Sequence, residues 1–181
     1  MAGLKTIYNN QGVPITDFKS TAVWSSLLND IGEAVFYVAT NGVKCKRNYL
    51  EFGNYVVLQH DKLPDWVGII DTPRVWHSGY VEVHAFEVPF LLKYRLLPLG
   101  LTIIGTPGDK FKSLINYANN SFDTLLRVGD VSSGGSNVSE TFTLDVFSCI
   151  KDLAENNDYE WVCSPQFDSI GTLTVKIDFA K

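Results

Sequence analysis

The residue types best suited to chemistry in this chain are a possible zinc set, His60, Glu82 and His84. Glu82 and His84 are two apart and share a face if they lie on a strand. A pair of histidines with a carboxylate can hold zinc. Strand alternation also places such pairs on the wet face of an antiparallel sheet, so no metal is expected. Three cysteines, Cys45, Cys149 and Cys163, contain no CxxC pair. An odd count without that spacing is neither a disulfide framework nor a zinc pattern. Cys149 falls in a helical pattern and Cys163 in a strand pattern, neither beside a histidine, so both read as inert thiols. The carboxylate pairs Asp152/Glu155 and Asp158/Glu160 have nothing in the sequence to place them across a cleft, as glycoside hydrolysis requires. The first lies on the polar side of an amphipathic helix.

Ser133-Gly134-Gly135-Ser136 lacks the Lys-Ser/Thr of a phosphate loop and does not lead directly into a helix. No GxSxG, HExxH or GxGxxG element occurs either. Four tryptophans, Trp24, Trp66, Trp76 and Trp161, could stack on a sugar, but such residues more often fill cores and interfaces. The sequence therefore predicts a protein that is not an enzyme, with no catalytic residue and no cofactor.

Composition agrees with that reading. The chain has 181 residues, 45% hydrophobic and 19% charged, enough to bury a core and too apolar for wholesale disorder. Aromatics reach 13%, which suits strands and subunit interfaces. The net charge is −5, and the longest basic run is Lys44-Cys45-Lys46-Arg47, so nucleic-acid binding is excluded as the main role. A weakly acidic wall could still let DNA slide past without sticking. Met1-Ala2-Gly3-Leu4-Lys5 is not laid out as a signal peptide. The most apolar stretch, Val88 to Ile104, contains Pro89, Lys93, Arg95 and Pro98 and is too short and interrupted to span a bilayer. Without an export signal, the sequons at Asn119 and Asn137 read as chance matches, and the thiols fit folding in a reducing cytoplasm.

The elements that carry these residues fall into two parts. Up to about residue 100, short β-branched or alternating runs are separated by turns, the pattern of a small antiparallel barrel or sandwich. Strands are expected at Leu4–Tyr8, Thr21–Leu28, Glu33–Thr40, Tyr55–His60, Trp66–Asp71 and Tyr80–Val88. Turns are expected at Asn9–Gly12, Asn29–Gly32, Asp61–Asp65 and Asp71–Arg74. In the Tyr80 strand, Val81, Val83 and Ala85 form the core face. From residue 101 to 181 an α+β module follows. Phe111, Leu114, Ile115 and Ala118 make one helical stripe, with Asp109 as cap and Pro107 just outside. A second helix spans Leu144 to Asn156 behind Thr143 as N-cap, with Val146, Phe147, Ile150, Leu153 and Ala154 as its stripe. Tyr159–Ser164 and Thr172–Phe179 read as strands. Asp130–Asn137 reads as a mobile Gly/Ser loop.

The order of short motifs carries a resemblance. Gly53-Asn54-Tyr55-Val56-Val57-Leu58 matches a G-x-x-V-x-L strand, Trp66-Val67-Gly68-Ile69-Ile70 a W-x-G-x-I strand, and Leu91-Leu92-Lys93-Tyr94-Arg95 an L-L-x-x-R segment. With Ala22-Val23-Trp24 and Ile31-Gly32-Glu33-Ala34-Val35-Phe36 as an opening hairpin, this resembles the N-terminal barrel of phage tail hub proteins, relatives of the contractile-tail baseplate hub. Phe142 to Ala154, Tyr159-Glu160-Trp161-Val162 and Gly171 to Val175 are similar to the helix-then-strands module that follows it. Such hubs are usually longer, with a second barrel, so this chain would correspond to their N-terminal part.

The resemblance implies a structural subunit that forms a homotrimer, joins the tail tube to tip and adhesin proteins, and lets DNA pass without specific binding. Its place would be the phage or prophage virion tail, after folding in the bacterial host cytoplasm. The alternative reading of the same residues is a β-rich surface module that binds a ligand, with carbohydrate the leading class.

Overall fold

In the computed structural model, residues 4–41, 45–71, 74–98 and 100–181 are described, apart from the side chains of Lys19 and Ser121. Met1-Ala2-Gly3, Lys44 of the basic run and Thr72-Pro73 of the turn before Tyr80 lie outside the described residues. Backbone contacts divide the chain into two units. One comprises Met1–Leu27, Ile31–Val88 and Ser164–Val175, the other Leu28–Asp30, Pro89–Cys163 and Lys176–Lys181.

The first unit is built on one antiparallel sheet. Its strands are β1 (Leu4–Tyr8), β2 (Pro14–Lys19), β3 (Ala22–Trp24), β4 (Glu33–Ala39), β5 (Tyr55–His60), β6 (Leu63–Ile70), β7 (Val75–Trp76) and β8 (Tyr80–Glu87). They run in the order β2-β1-β5-β6-β8-β4-β3, with β7 on β8. The two ends of that order, β2 and β3, are consecutive in the chain and joined only by Ser20-Thr21. The sheet therefore curls around its apolar face. It does not close: among the described residues no ladder joins β2 to β3, so the expected barrel is an open, curled sheet. The seam lacks length for a ladder because β3 has three residues. A side chain fills the corner instead, as buried Lys5 donates from Nζ to the Ser20 carbonyl.

Inside the curl lie Ile7, Phe36, Val56, Leu58, Trp66, Ile70, Val81, Val83 and Ala85. The predicted core face of β8 is thus the observed one. β5 is buried on both faces from Tyr55 to Leu58, and β6 from Trp66 to Ile70, which is why they read as continuous apolar runs. On the outer side Tyr8 stacks on Phe167 at 6.0 Å, and Leu173 donates its N–H to the Gly12 carbonyl at 2.8 Å. Two motif glycines have steric reasons. A Cβ on Gly68 would lie 2.2 Å from the Trp66 ring and 2.5 Å from the Phe86 carbonyl, so the indole occupies the space a side chain would need. Gly53 has φ +91°, a turn conformation that glycine adopts without strain.

The second unit contains β9 (Leu101–Gly105), α1 (Pro107–Ser121), β10 (Leu126–Val131), β11 (Val138–Phe142) and α2 (Val146–Glu155). The closing hairpin, β12 (Glu160–Phe167) and β13 (Leu173–Ala180), contributes residues to both units. Its sheet runs β10-β13-β12, while β9 and β11 form a separate ribbon. The helix stripes are buried as expected. The caps differ: Thr106 caps α1, with Pro107 inside the first turn and Asp109 completing a capping box, and Asp145 rather than Thr143 caps α2. Each observed cap supplies an acceptor to an N–H two or three residues on, which the offset positions could not do. The core holds a ring stack, Phe111 on Phe179 at 4.3 Å and Phe179 on Tyr159 at 4.7 Å. Tyr159 Oη donates to the Gly134 carbonyl at 2.8 Å, which ties the Gly/Ser loop to this stack.

One carboxylate sits against the grain of the first unit. Glu87, at the end of β8, accepts from Gly32 N at 2.9 Å and Ser26 Oγ at 2.7 Å. Desolvation raises its pKa above the ordinary 4.5, and the hydrogen bonds from Gly32, Ser26 and Trp66 only partly oppose this. The folded state then binds the proton more tightly than the unfolded state. The desolvation penalty is complete above the raised value and disappears as pH falls through it toward 4.5. Denaturant midpoints taken in steps upward from pH 4.5 should show wild type losing stability over the interval in which Glu87 ionises, with that part of the slope absent in Glu87→Gln. An unchanged slope would remove Glu87 as its source. Separately, Phe36→Ala should cost about 3–5 kcal/mol in urea unfolding, because the curled sheet cannot collapse onto the void.

Candidate functional site

The residues singled out for chemistry do not assemble. Glu82 and His84 face outward on β8, with His84 Nε2 2.9 Å from Glu82 Oε1. His60 is at the far end of β5, opposite Leu63, with its ring edge-on to the inward-packed Trp24 at 6.2 Å. β6 lies between β5 and β8 in the sheet. Among the described residues no three His, Cys, Asp or Glu side chains converge on a point.

None of the three cysteines forms a disulfide, and Cys149 is buried. Burial holds the Cys45 and Cys149 thiols above their usual pKa, against the thiolate a nucleophile needs. Asp152, Glu155, Asp158 and Glu160 are exposed. Trp66 and Trp161 are buried, Trp24 packs on the core, and Trp76 is 53% exposed, so the four indoles share no platform.

What the first unit does present is an aromatic outer surface on β4 and β8. Ladder register places Tyr37 opposite Glu82 and Ala39 opposite Tyr80. Tyr37 and Tyr80 meet edge to face at 5.6 Å, and His77 stacks on Tyr80 at 4.5 Å. Tyr37 and Tyr80 border a shallow concavity of about 500 Å³ that Ser20, Thr21 and Ala39 also line. Hydroxyls and ring edges there can donate and accept hydrogen bonds, and none of the described lining residues is charged. Such a surface is suited to contact, since tyrosine offers large area with few rotors. Sequence reading found the strand but not the cluster, because Tyr37 and Tyr80 are remote in sequence and only the β4–β8 register joins them.

The second unit exposes its own apolar groups around the segment after α1. Arg95 donates from Nε to the Ala118 carbonyl at 3.3 Å and lies over the Phe122 ring at 5.6 Å. Asn119 and Asp123 bond the backbone of Thr124, Leu125 and Leu126, and so hold Leu125 at φ +58°.

The separation of His60 from His84 gives a direct check. Added zinc should leave the thermal midpoint of the protein unchanged. A rise that His84→Ala abolishes would instead assign a metal to the Glu82–His84 pair.

No protein-family model matches the chain, and no curated protein matches it in sequence. Solved structures do match in fold. One is the E. coli c3393 protein, described as a component of the type VI secretion system with structural similarity to the T4 bacteriophage tail proteins gp27 and gp5. It has TM-score 0.59 and 8% identity over 98% of this chain and 45% of its own. The 43 kDa tail protein of prophage MuSo2 from Shewanella oneidensis matches with TM-score 0.59 and 8% identity over 97% of this chain and 52% of its own. A tail protein from Neisseria meningitidis MC58 matches with TM-score 0.56 and 14% identity over 96% of this chain and 51% of its own. The chain thus spans about half the length of the structures it matches. The order of motifs that resembles phage tail hubs is accompanied by the fold of phage tail proteins.

Proposed function

We propose that the chain is the N-terminal part of a phage or prophage tail-tip hub, a structural subunit with no catalytic role. The observation that carries this reading is the fold match to tail proteins over nearly the whole chain, 96–97% of it. Fold alone does not assign function, so the surface matters as well. Candidate catalytic groups are scattered, whereas the outer face of β4 and β8 offers tyrosines for contact. In this reading the subunit forms a homotrimer, joins the tail tube to tip and adhesin proteins, and surrounds a passage for DNA. A net charge of −5 suits a bore through which DNA must move without binding. The protein folds in the host cytoplasm and functions in the virion tail. Among the described residues no helix is long and apolar enough to cross a membrane. Burial of Trp66 and Trp161 argues against the sugar-binding alternative, which needs exposed coplanar rings.

Immunogold electron microscopy of tail particles tests the assignment. Label confined to one end of the tail tube is the expected result. Label along the tube, or on free protein only, would overturn it.

A further inference from the structure

The outer face of β4 and β8 holds negative charge and aromatic rings but no base. By register, β4 places Glu33, Tyr37 and Ala39 on it, and β8 places Tyr80, Glu82 and His84. Its two formal charges are both carboxylates, Glu33 and Glu82, and neither strand contains lysine or arginine. Tyr37 and Tyr80 are 36% and 38% exposed, and their planes meet at 81°. The concavity they border is lined also by Ala39, which is small, and by Ser20 and Thr21, which bring hydroxyls.

Two rings at nearly a right angle make no flat platform for a sugar. They make a corner, and the electron-rich face of a phenol attracts a cation. The chain uses this pairing elsewhere. Arg95 lies over Phe122 at 5.6 Å and Lys46 over Tyr49 at 5.3 Å. Among the described residues no cation of the chain lies over Tyr37 or Tyr80. Glu82 supplies a countercharge there, as the ladder partner of Tyr37 and two residues from Tyr80 on the same face. His84 Nε2 lies 2.9 Å from Glu82 Oε1, which steadies the carboxylate and leaves Oε2 to accept from another donor.

We infer that the Tyr37–Tyr80 corner receives an arginine side chain presented by a partner protein. A guanidinium stacks on a ring face and directs N–H donors outward from its edge. Acceptors for them stand nearby in the Glu82 carboxylate and in the hydroxyls of Tyr37, Ser20 and Thr21. A lysine ammonium is a strongly hydrated point charge and gains less on so open a surface. A free small molecule calls for a site that covers most of it, and this concavity is shallow. A side chain carried by a protein gains the rest of its contact from apolar neighbours on the same face. Val75 lies opposite Glu82, and Val23, 70% exposed, lies opposite Val35.

The inference rests on the reading of this face as a contact surface, while the tail-tip location is decided separately by microscopy. Amide NMR spectra of the whole chain, titrated with N-acetyl-arginine methylamide, should show saturable shifts centred on Tyr37, Ala39 and Tyr80. The citrulline counterpart, of the same shape without the charge, should bind at least about 5-fold more weakly. Tyr37→Leu and Tyr80→Leu should each weaken arginine binding about 2- to 5-fold, whereas Tyr37→Phe and Tyr80→Phe keep the ring faces and should retain it. Glu82→Gln should weaken binding and flatten its dependence on salt. Trp76→Leu should change nothing, because Trp76 is exposed but lies opposite Val81, on the core face of the sheet. A valine on each side of the arginine in a short peptide should tighten binding. Shifts that never saturate or centre elsewhere, or citrulline binding as well as arginine, would overturn the site. Tetramethylammonium binding more tightly than the arginine amide would overturn the choice of guanidinium. Valine flanks that add nothing would overturn a protein as its source.

Discussion

The first unit depends on enclosing one apolar cluster with a single sheet. Phe36, Trp66, Val83 and their neighbours are almost wholly removed from water, and a flat sheet would leave that face open. Strand twist allows the curl, but the curl needs space at its tightest packing. Gly68 supplies it by lacking the Cβ that would strike the Trp66 ring. Trp66 in turn donates from Nε1 to the Ser25 carbonyl at 3.2 Å, so the residue that fills the core also fixes the loop after β3. The W-x-G-x-I motif is therefore one packing solution, in which the tryptophan requires the glycine two positions on. Its recurrence in a protein family would reflect this steric pairing and needs no catalytic explanation.

Legibility followed how local the governing interaction is. β1 and β5 were readable to the residue, since each is a short run rich in strand-forming residues that ends at turn residues. The alternation of β8 and of β13 gave their buried faces correctly, Val81, Val83 and Ala85 in one and Leu173, Val175, Ile177 and Phe179 in the other. β2, β7, β9, β10 and β11 were missed. β2 starts with proline and mixes Thr16, Asp17 and Lys19 with two apolar residues. β10 contains Gly129, whose missing Cβ admits Asp178 and Lys176 from the neighbouring strand. These strands exist because partners distant in sequence pair with them, and no local period records that. The expected barrel failed for a related reason. Strand count and spacing suggest closure, but closure is decided at one seam, where β3 is too short and Lys5 takes the corner.

The same distinction explains why the site could not be read from residue types. His60, Glu82 and His84 look like ligands only if strand order places them together, and β6 separates their strands. Tyr37, His77 and Tyr80 have no spacing that suggests a cluster, yet the β4–β8 ladder makes one. A catalytic centre has to be dry, convergent and electrically tuned. Here the buried polar groups instead serve structure: Lys5 closes a corner, Lys110 holds the ribbon to its helix side through Glu140, and Thr124 pins a turn through Asn119.

In a protein built largely of antiparallel strands, the backbone polar groups at the sheet edges are also informative. Each exposed strand edge is a standing offer of hydrogen bonds, and a protein kept free of unwanted pairing must withdraw that offer. This chain does so at β2, β3, β7 and β12 by four different means, of which the Asn29 side chain bonded along β12 is the most specific. With those edges withdrawn, the surface that the first unit leaves for contact is the aromatic outer face of β4 and β8, where Tyr37 and Tyr80 supply area without the fixed register that an open ladder would impose.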